Sequence, residues 1–169
     1  MLKLPKAFTD HPRAEALTAY FSRKEAPLRE GGRVLVSWLP VDPTLTAALK
    51  AVHGTGHLAQ GLELIATTLD REAKGLRMAR EKTGQAASGR LSRLVFFAND
   101  GTERFYRDAE SLLQRHGDRV WGCLLEADSA TLGEAFAAKG NPAKAFLIDD
   151  RQALDLFLAR MADGPSLSR

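Results

Sequence analysis

RLVFFANDGTERF, residues 93–105, holds a short apolar run, then an acid, then the beginning of an amphipathic segment. The same order returns in RVWGCLLEADSATL (119–132) and in NPAKAFLIDDRQAL (141–154). Short apolar runs rich in β-branched and aromatic residues predict strands, and apolar residues three and four apart predict helices. We therefore predict strands at about 92–99, 119–126 and 144–149, and helices at about 102–116, 129–139 and 151–162.

Strands that alternate with helices of this length are typical of parallel strands joined by right-handed crossovers. The continuous apolar strands also fit a sheet that helices cover on both faces. A further strand is predicted in RVLVSWLP (33–40), which Pro40 ends. We expect an α/β fold, a three-layer α/β/α sandwich with a mainly parallel central sheet of about four strands.

The composition is that of an ordinary globular protein, with 44% hydrophobic and 27% charged residues and a net charge of +3. We expect an N-terminal helical extension over residues 1–30, one α/β/α domain over 31–162 and a disordered tail over 163–169. The apolar runs are too short to cross a bilayer, and the first residues lack the apolar stretch of a secretory signal. These features predict a cytoplasmic protein that does not enter membranes.

Acidic residues stand at the ends of the three strands. If those strands are parallel, their carboxyl ends share one edge of the sheet, where ligands usually bind. Clustered carboxylates are ligands that Mg²⁺ prefers, and phosphoryl-transfer enzymes use them. The competing interpretation is that aspartates before helices act as N-caps, which needs no further coincidence. The acids of the possible magnesium site are Asp100, Asp128, Asp149 and Asp150.

A second group of charges lies in the segment from about residue 56 to 82, which the spacing of its apolar residues predicts to be one long helix. Basic residues crowd its end, where it leads into a small, polar loop at 83–89, and two more stand just beyond that loop. Arginine forks and exposed backbone N–H groups in such a place can grip phosphates, whereas the alternative is a solvated helix face. The basic residues are Arg71, Lys74, Arg77, Arg80, Lys82, Arg90 and Arg93.

From about residue 75 to 158 the chain resembles the superfamily of kink-turn-binding ribosomal proteins. LVFFAND (94–100) is similar to that family's strand ending in Ala-x-Asp, and TLGEAF (131–136) to its Leu-Gly element that opens a helix. AKAFLIDD (143–150) resembles its final strand. The resemblance implies a three-layer α/β/α fold and RNA- or ribosome-associated work. It also implies that four residues lie nearest the RNA-facing edge: Gly75, Arg77, Arg80 and Lys82.

These observations predict a non-enzymatic domain, without a cofactor, that binds structured RNA through the basic helix end and the loop after it. One alternative is a Mg²⁺-dependent enzyme that transfers phosphoryl groups or hydrolyses phosphoesters with the acids at the strand ends. Another is a protein-interaction module in which the helix at 56–82 docks a partner or a second copy of the chain.

Overall fold

The computed structural model describes residues 2–137 and 139–168, and there the chain has an α/β fold, with helices on both faces of one six-stranded mixed sheet. The strands are β1 (Glu25–Pro27), β2 (Leu35–Leu39), β3 (Leu58–Gln60), β4 (Arg93–Phe97), β5 (Val120–Leu125) and β6 (Ala145–Ile148). The helices are α1 (Ala14–Ser22), α2 (Pro43–Gly54), α3 (Leu62–Thr83), α4 (Glu103–His116), α5 (Ser129–Phe136) and α6 (Arg151–Asp163). Short 3-10 helices cover Lys6–Phe8 and Pro165–Ser168.

The strand order across the sheet is β1-β2-β5-β4-β6-β3. Only β2, β5 and β4 are parallel to one another, while β1, β6 and β3 each run antiparallel to a neighbour. The prediction of about four mainly parallel strands is therefore wrong in both number and direction. The two unpredicted strands, β1 and β3, are three residues long, too short to show an alternating pattern.

The reversal of β6 has a physical cause in the helix before it. A crossover must carry the chain along the whole of β5, roughly 20 Å for six residues, before a parallel strand can begin. Helix α5 has eight residues and spans only about 12 Å. The chain between α5 and β6 does not return along β5 either, so β6 begins at the end where β4 and β5 finish, and Ala145 pairs with Phe97.

Alternate side chains of β2 to β6 enter two separate cores. Leu94 and Phe96 of β4 belong to the larger core, under α1, α2, α5 and α6. Val95 and Phe97 belong to the smaller core, under α3 and α4. The period of two along a strand thus distributes the helices over the two faces of the sheet.

Both ends of the described chain pack against the larger core. Leu4 and Phe8 are buried in it, and β1 extends the sheet beside β2. The segment expected to be a disordered tail forms the 3-10 helix over Pro165–Ser168, in which Leu167 is buried. Ser166 donates to Asp42, the N-cap of α2, at 2.6 Å. Arg169 lies outside the described residues, and the domain boundaries stay a prediction.

Helix α3 is longer than the strands beneath it. Its 22 residues span about 33 Å, whereas the five residues of β4 span roughly 17 Å. Gly61, at φ 97°, separates β3 from α3 in the stretch that the sequence predicted as one helix. Helix α3 starts where β4 ends and runs back past the point where β4 begins. Its second half therefore extends beyond the sheet.

No helix within residues 2–137 and 139–168 combines the length and the hydropathy that crossing a membrane would need.

A glycine substitution tests the close packing of α5. A Cβ on Gly133 would overlap the backbone of Asn141 and Pro142, so we expect Gly133→Ala to lower the free energy of unfolding by about 1–3 kcal/mol. Gly75, inside α3, has open space where a Cβ would stand, so Gly75→Ala should raise that free energy by about 0.5–1 kcal/mol. Urea denaturation of both variants checks the pair, and equal stabilities would contradict the packing described for α5.

Candidate nucleic-acid interface

The acids of the possible magnesium site lie at opposite ends of the sheet. Asp100 and Asp128 follow the ends of β4 and β5, at the edge that we call the carboxyl edge. Asp149 and Asp150 follow β6, which runs the other way, so they lie where β4 and β5 begin, at the amino edge. The expectation that all four meet at one edge is therefore wrong, because it assumed a parallel β6.

At the carboxyl edge both aspartates serve the beginning of α5. Asp128 is its N-cap and accepts a hydrogen bond from the Thr131 backbone N–H at 2.8 Å. The hydrogen bonds of Thr131, side chain first and backbone second, lower the pKa of Asp128. Asp100 accepts from the backbone N–H and the hydroxyl of Ser129, at 2.9 and 2.8 Å. Asp100 was also predicted to cap the helix that follows it, but Thr102 caps α4 instead.

At the amino edge the two acids have separate partners. Asp150 caps α6, as predicted, and accepts from the Ala153 N–H at 3.0 Å. Asp149 lies 3.0 Å from Nδ1 of His57, a residue between α2 and β3. No group of three or more His, Cys, Asp or Glu side chains in the described ranges is arranged to hold a metal ion.

The basic residues of the second half of α3 are unpaired. This half, residues 71–83, is mostly exposed, since the helix has passed the amino edge there. Within the part of the chain that the structure describes, none of its basic side chains makes a hydrogen bond or an ion pair. They are Arg71, Lys74, Arg77, Arg80 and Lys82, all from the predicted site. Gly75, also predicted, lies among them and is exposed.

The other two predicted arginines are engaged inside the protein. Arg90 donates to the carbonyl of Leu4 at 3.3 Å and to the hydroxyl of Thr9 at 3.2 Å, which fastens the N-terminal segment to the chain after α3. Arg93, the first residue of β4, lies 3.2 Å from a carboxylate oxygen of Glu72. These guanidinium groups hold the fold together, so they are not free cations.

Glu72 also pairs with a residue that the sequence analysis did not select. Arg119, just before β5, donates to Glu72 at 3.0 Å, to the carbonyl of Leu69 at 3.2 Å and to the hydroxyl of Ser92 at 3.3 Å. Its side chain is only 7% exposed. A buried guanidinium needs such partners, because an unpaired buried charge is very costly. The carboxylate of Glu72 thus joins α3 to the beginnings of β4 and β5.

A groove of about 550 Å³ lies between the second half of α3 and the end of α4. Arg77 and Arg80 line its α3 side, and Gly84 and Gln85 of the following loop lie beside them. Glu81 and Asp118 are its carboxylates. From α4 and the turn after it come Arg115, His116 and Arg119. We call this the first groove, and its arginines come from α3, α4 and the turn after α4.

Asp70 anchors the α4 side of the first groove. It lies 2.8 Å from Nε2 of His116, whose side chain is only 4% exposed, and 3.5 Å from Arg115. Arg115 was missed because it lies 35 residues or more from the arginines of α3 that line the same groove. The signal that could have found it is RHGDR (115–119), which directly precedes a strand parallel to β4.

Comparisons with known proteins add little to this geometry. No protein-family model matches the chain, and no curated protein matches it. A solved structure that resembles the fold is that of a protein with unknown function from Bacillus halodurans C, 12% identical, with a TM-score of 0.45. The likeness covers 72% of this chain and 98% of that chain. It carries no argument about function.

The structural role of Asp100 can be separated from a metal-binding role. We expect Asp100→Ala to lower the free energy of unfolding by about 1–2 kcal/mol, because the two groups of Ser129 lose their acceptor. The loss should be the same with and without Mg²⁺. A metal bound only by the folded chain would instead stabilise the wild type as Mg²⁺ is added, and the variant would lose that gain. Thermal melts across a magnesium titration distinguish the two outcomes.

Proposed function

We propose that this chain is a non-enzymatic RNA-binding domain that contacts structured RNA through the second half of α3 and the loop that follows it. The scaffold is a three-layer α/β/α sandwich, and the chain acts in the cytoplasm. The binding surface lies at the amino edge, away from the carboxylates of Asp100 and Asp128. The observation that carries the proposal is the set of unpaired cations on α3.

Those cations contrast with the arginines around them. Arg90, Arg93 and Arg119 all have internal acceptors within 3.3 Å, so the fold uses them. The positive charges of these unpaired side chains repel one another, which destabilises the free protein. A bound polyanion would relieve that repulsion. Glu81 is the one acid among residues 73–83, so the net charge of this segment is positive. The surface is therefore built to bind phosphates.

The spacing of the cations also suits a polymer. Arg71, Lys74, Arg77 and Arg80 stand three residues apart, so each lies about 4.5 Å further along α3 and about 60° around it. The row therefore winds from the outer face of the helix into the first groove, where Arg77 and Arg80 lie. An extended chain of phosphates can follow such a path, whereas one small anion would reach only one or two of its members.

Arginine is the residue that recognises phosphate by shape as well as charge, because its planar fork meets two oxygens at once. RNA is preferred to other polyanions because residues 75–158 resemble the kink-turn-binding ribosomal proteins. That resemblance implies that the same helix end lies at the RNA-facing edge. The proposal thus joins two independent lines, the unpaired charges and the resemblance.

The test is the salt dependence of binding to an RNA hairpin. Arg77→Ala with Arg80→Ala should weaken binding at least about a hundredfold, since hydrogen bonds to charged groups contribute about 1.5–3 kcal/mol each and two are lost. The slope of log affinity against log salt should fall by about 2, one for each lost phosphate contact. Fluorescence anisotropy at several salt concentrations measures both quantities.

A matched control removes two arginines elsewhere. Arg104 on α4 and Arg160 on α6 are exposed and lie toward the carboxyl edge, so Arg104→Ala with Arg160→Ala changes the net charge equally. The control should keep most of the affinity and the slope of the wild type. If both double variants lost affinity equally, net charge alone would explain the binding. If Arg77→Ala with Arg80→Ala lost no affinity, this surface would not be the binding site.

A second candidate function is self-association through the outer face of α3. Leu64 and Met78 are 52% and 53% exposed, and they lie fourteen residues apart on one face of the helix. Arg71 stands midway between them on that face, so two copies would bring like charges together. This repulsion is why RNA binding is placed first.

Sedimentation velocity at rising protein concentration tests the second candidate. If α3 pairs with a second copy, Leu64→Lys with Met78→Lys should leave a monomer at every concentration, because buried apolar area drives such interfaces. Leu35→Lys is the control, since Leu35 is 48% exposed on β2, away from α3. A wild type that is monomeric throughout would exclude this candidate.

A further inference from the structure

A second groove lies on the other flank of α3, with Leu76 bordering both grooves. Its volume is about 670 Å³. Five parts of the chain far apart in sequence meet there: the N-terminal segment, the middle of α3, the chain leading into β4, Arg119 before β5 and the beginning of α6. The residues on which the argument depends are Lys6, Gly75, Leu76, Leu91, Arg93 and Arg151.

The second groove differs in chemistry from the first. Its lining is mostly apolar, with Pro5, Leu91 and Leu154 among the residues beneath. Leu76 contributes a side chain that is 39% exposed. The exposed cations Lys6 and Arg151 stand at the groove, and the one carboxylate among its described lining residues, Glu72, is already shared by two arginines. An apolar floor with a cationic rim suits a ligand that has a flat apolar part and a phosphate.

Arg93 supplies a fixed planar surface in this groove. Its Nε lies 3.2 Å from Oε1 of Glu72, its Nη2 donates to Oε2 of Glu72 at 3.3 Å, and its Nη1 donates to the carbonyl of Ser92 at 2.7 Å. The side chain is still 16% exposed. Nucleic-acid bases stack on guanidinium planes, and a plane already held by a carboxylate loses little freedom when a base covers it.

Gly75 opens the helix side of the groove. It stands in the interior of α3, where glycine is unfavourable relative to alanine, and no atom would obstruct a Cβ there. The packing of the protein therefore does not require glycine at this position. A missing side chain at the groove lets a ligand come close to the backbone of α3.

We infer that the second groove binds one unstacked nucleotide from a single-stranded segment that adjoins the structured RNA. The base lies over Arg93 and the apolar floor, and its phosphate lies toward Lys6 and Arg151. A duplex would present only phosphates and sugars, whereas a single strand can place a base in an apolar groove. The inference rests on the proposed function, because the first groove and α3 hold the adjoining structured part.

The experiment compares a blunt RNA hairpin with the same hairpin carrying a short single-stranded extension. The wild-type chain should bind the extended hairpin about tenfold more tightly, the order expected for one stacked base. Lys6→Ala with Arg151→Ala should remove that difference and leave the affinity for the blunt hairpin close to that of wild type. Arg104→Ala with Arg160→Ala serves as the control of equal charge and should keep the difference.

Gly75→Ala is an independent test, because it should stabilise the fold and at the same time weaken binding in the second groove. It should raise the melting temperature and still reduce the preference for the extended hairpin, which a merely misfolded variant could not do. Equal wild-type affinity for the two hairpins would overturn the second groove and leave the proposed function standing. Failure of the wild type to bind either hairpin would overturn both.

Discussion

The packing of α3 against the amino edge of the sheet depends on the carboxylate of Glu72. It lies 3.0 Å from the guanidinium of Arg119 and 3.2 Å from that of Arg93, and so it ties α3 to the beginnings of two neighbouring strands. The Arg119 side chain is only 7% exposed, so it cannot do without this partner. Breaking a buried pair on one side typically costs several kcal/mol, because the other charge stays buried. The residues of α3 after Glu72 extend away from the sheet beyond this contact.

The basic residues near α3 fall into two classes, according to whether they contact Glu72. Arg93 and Arg119, which contact Glu72, are engaged in the fold, whereas the basic side chains of α3 itself make no ion pair with any described residue. The helix overshoots the sheet because its 22 residues span about twice the length of a five-residue strand. The flanks of the overshooting part become grooves, since α4 ends beside one flank and the N-terminal segment packs beside the other. Helix length therefore creates the proposed binding surface.

The short helix α5 has two consequences at opposite edges. Its eight residues cannot carry the chain back along β5, so β6 runs antiparallel to β4. This reversal divides the aspartates between the edges, where Asp100 and Asp128 brace α5 and Asp150 caps α6. It also brings the beginning of α6, with Arg151, to the amino edge. The feature that separates the carboxylates thus also brings a cation to the second groove.

The sequence by itself determined the longer elements and the cationic row of α3. The apolar patterns of β2, β4, β5, β6 and most of the helices are local, so they could be read from residues close together in the chain. The exposure of Arg77 and Arg80 follows from the same local pattern. Only the tertiary structure decided the direction of β6, the two three-residue strands, and the arginines that are engaged. Arg93 donates to the carboxylate of Glu72, 21 residues away in the sequence. Arg90 donates to the carbonyl of Leu4, 86 residues away. Periodicity reports which side of an element faces the core, but a partner in an ion pair is chosen by how distant segments pack.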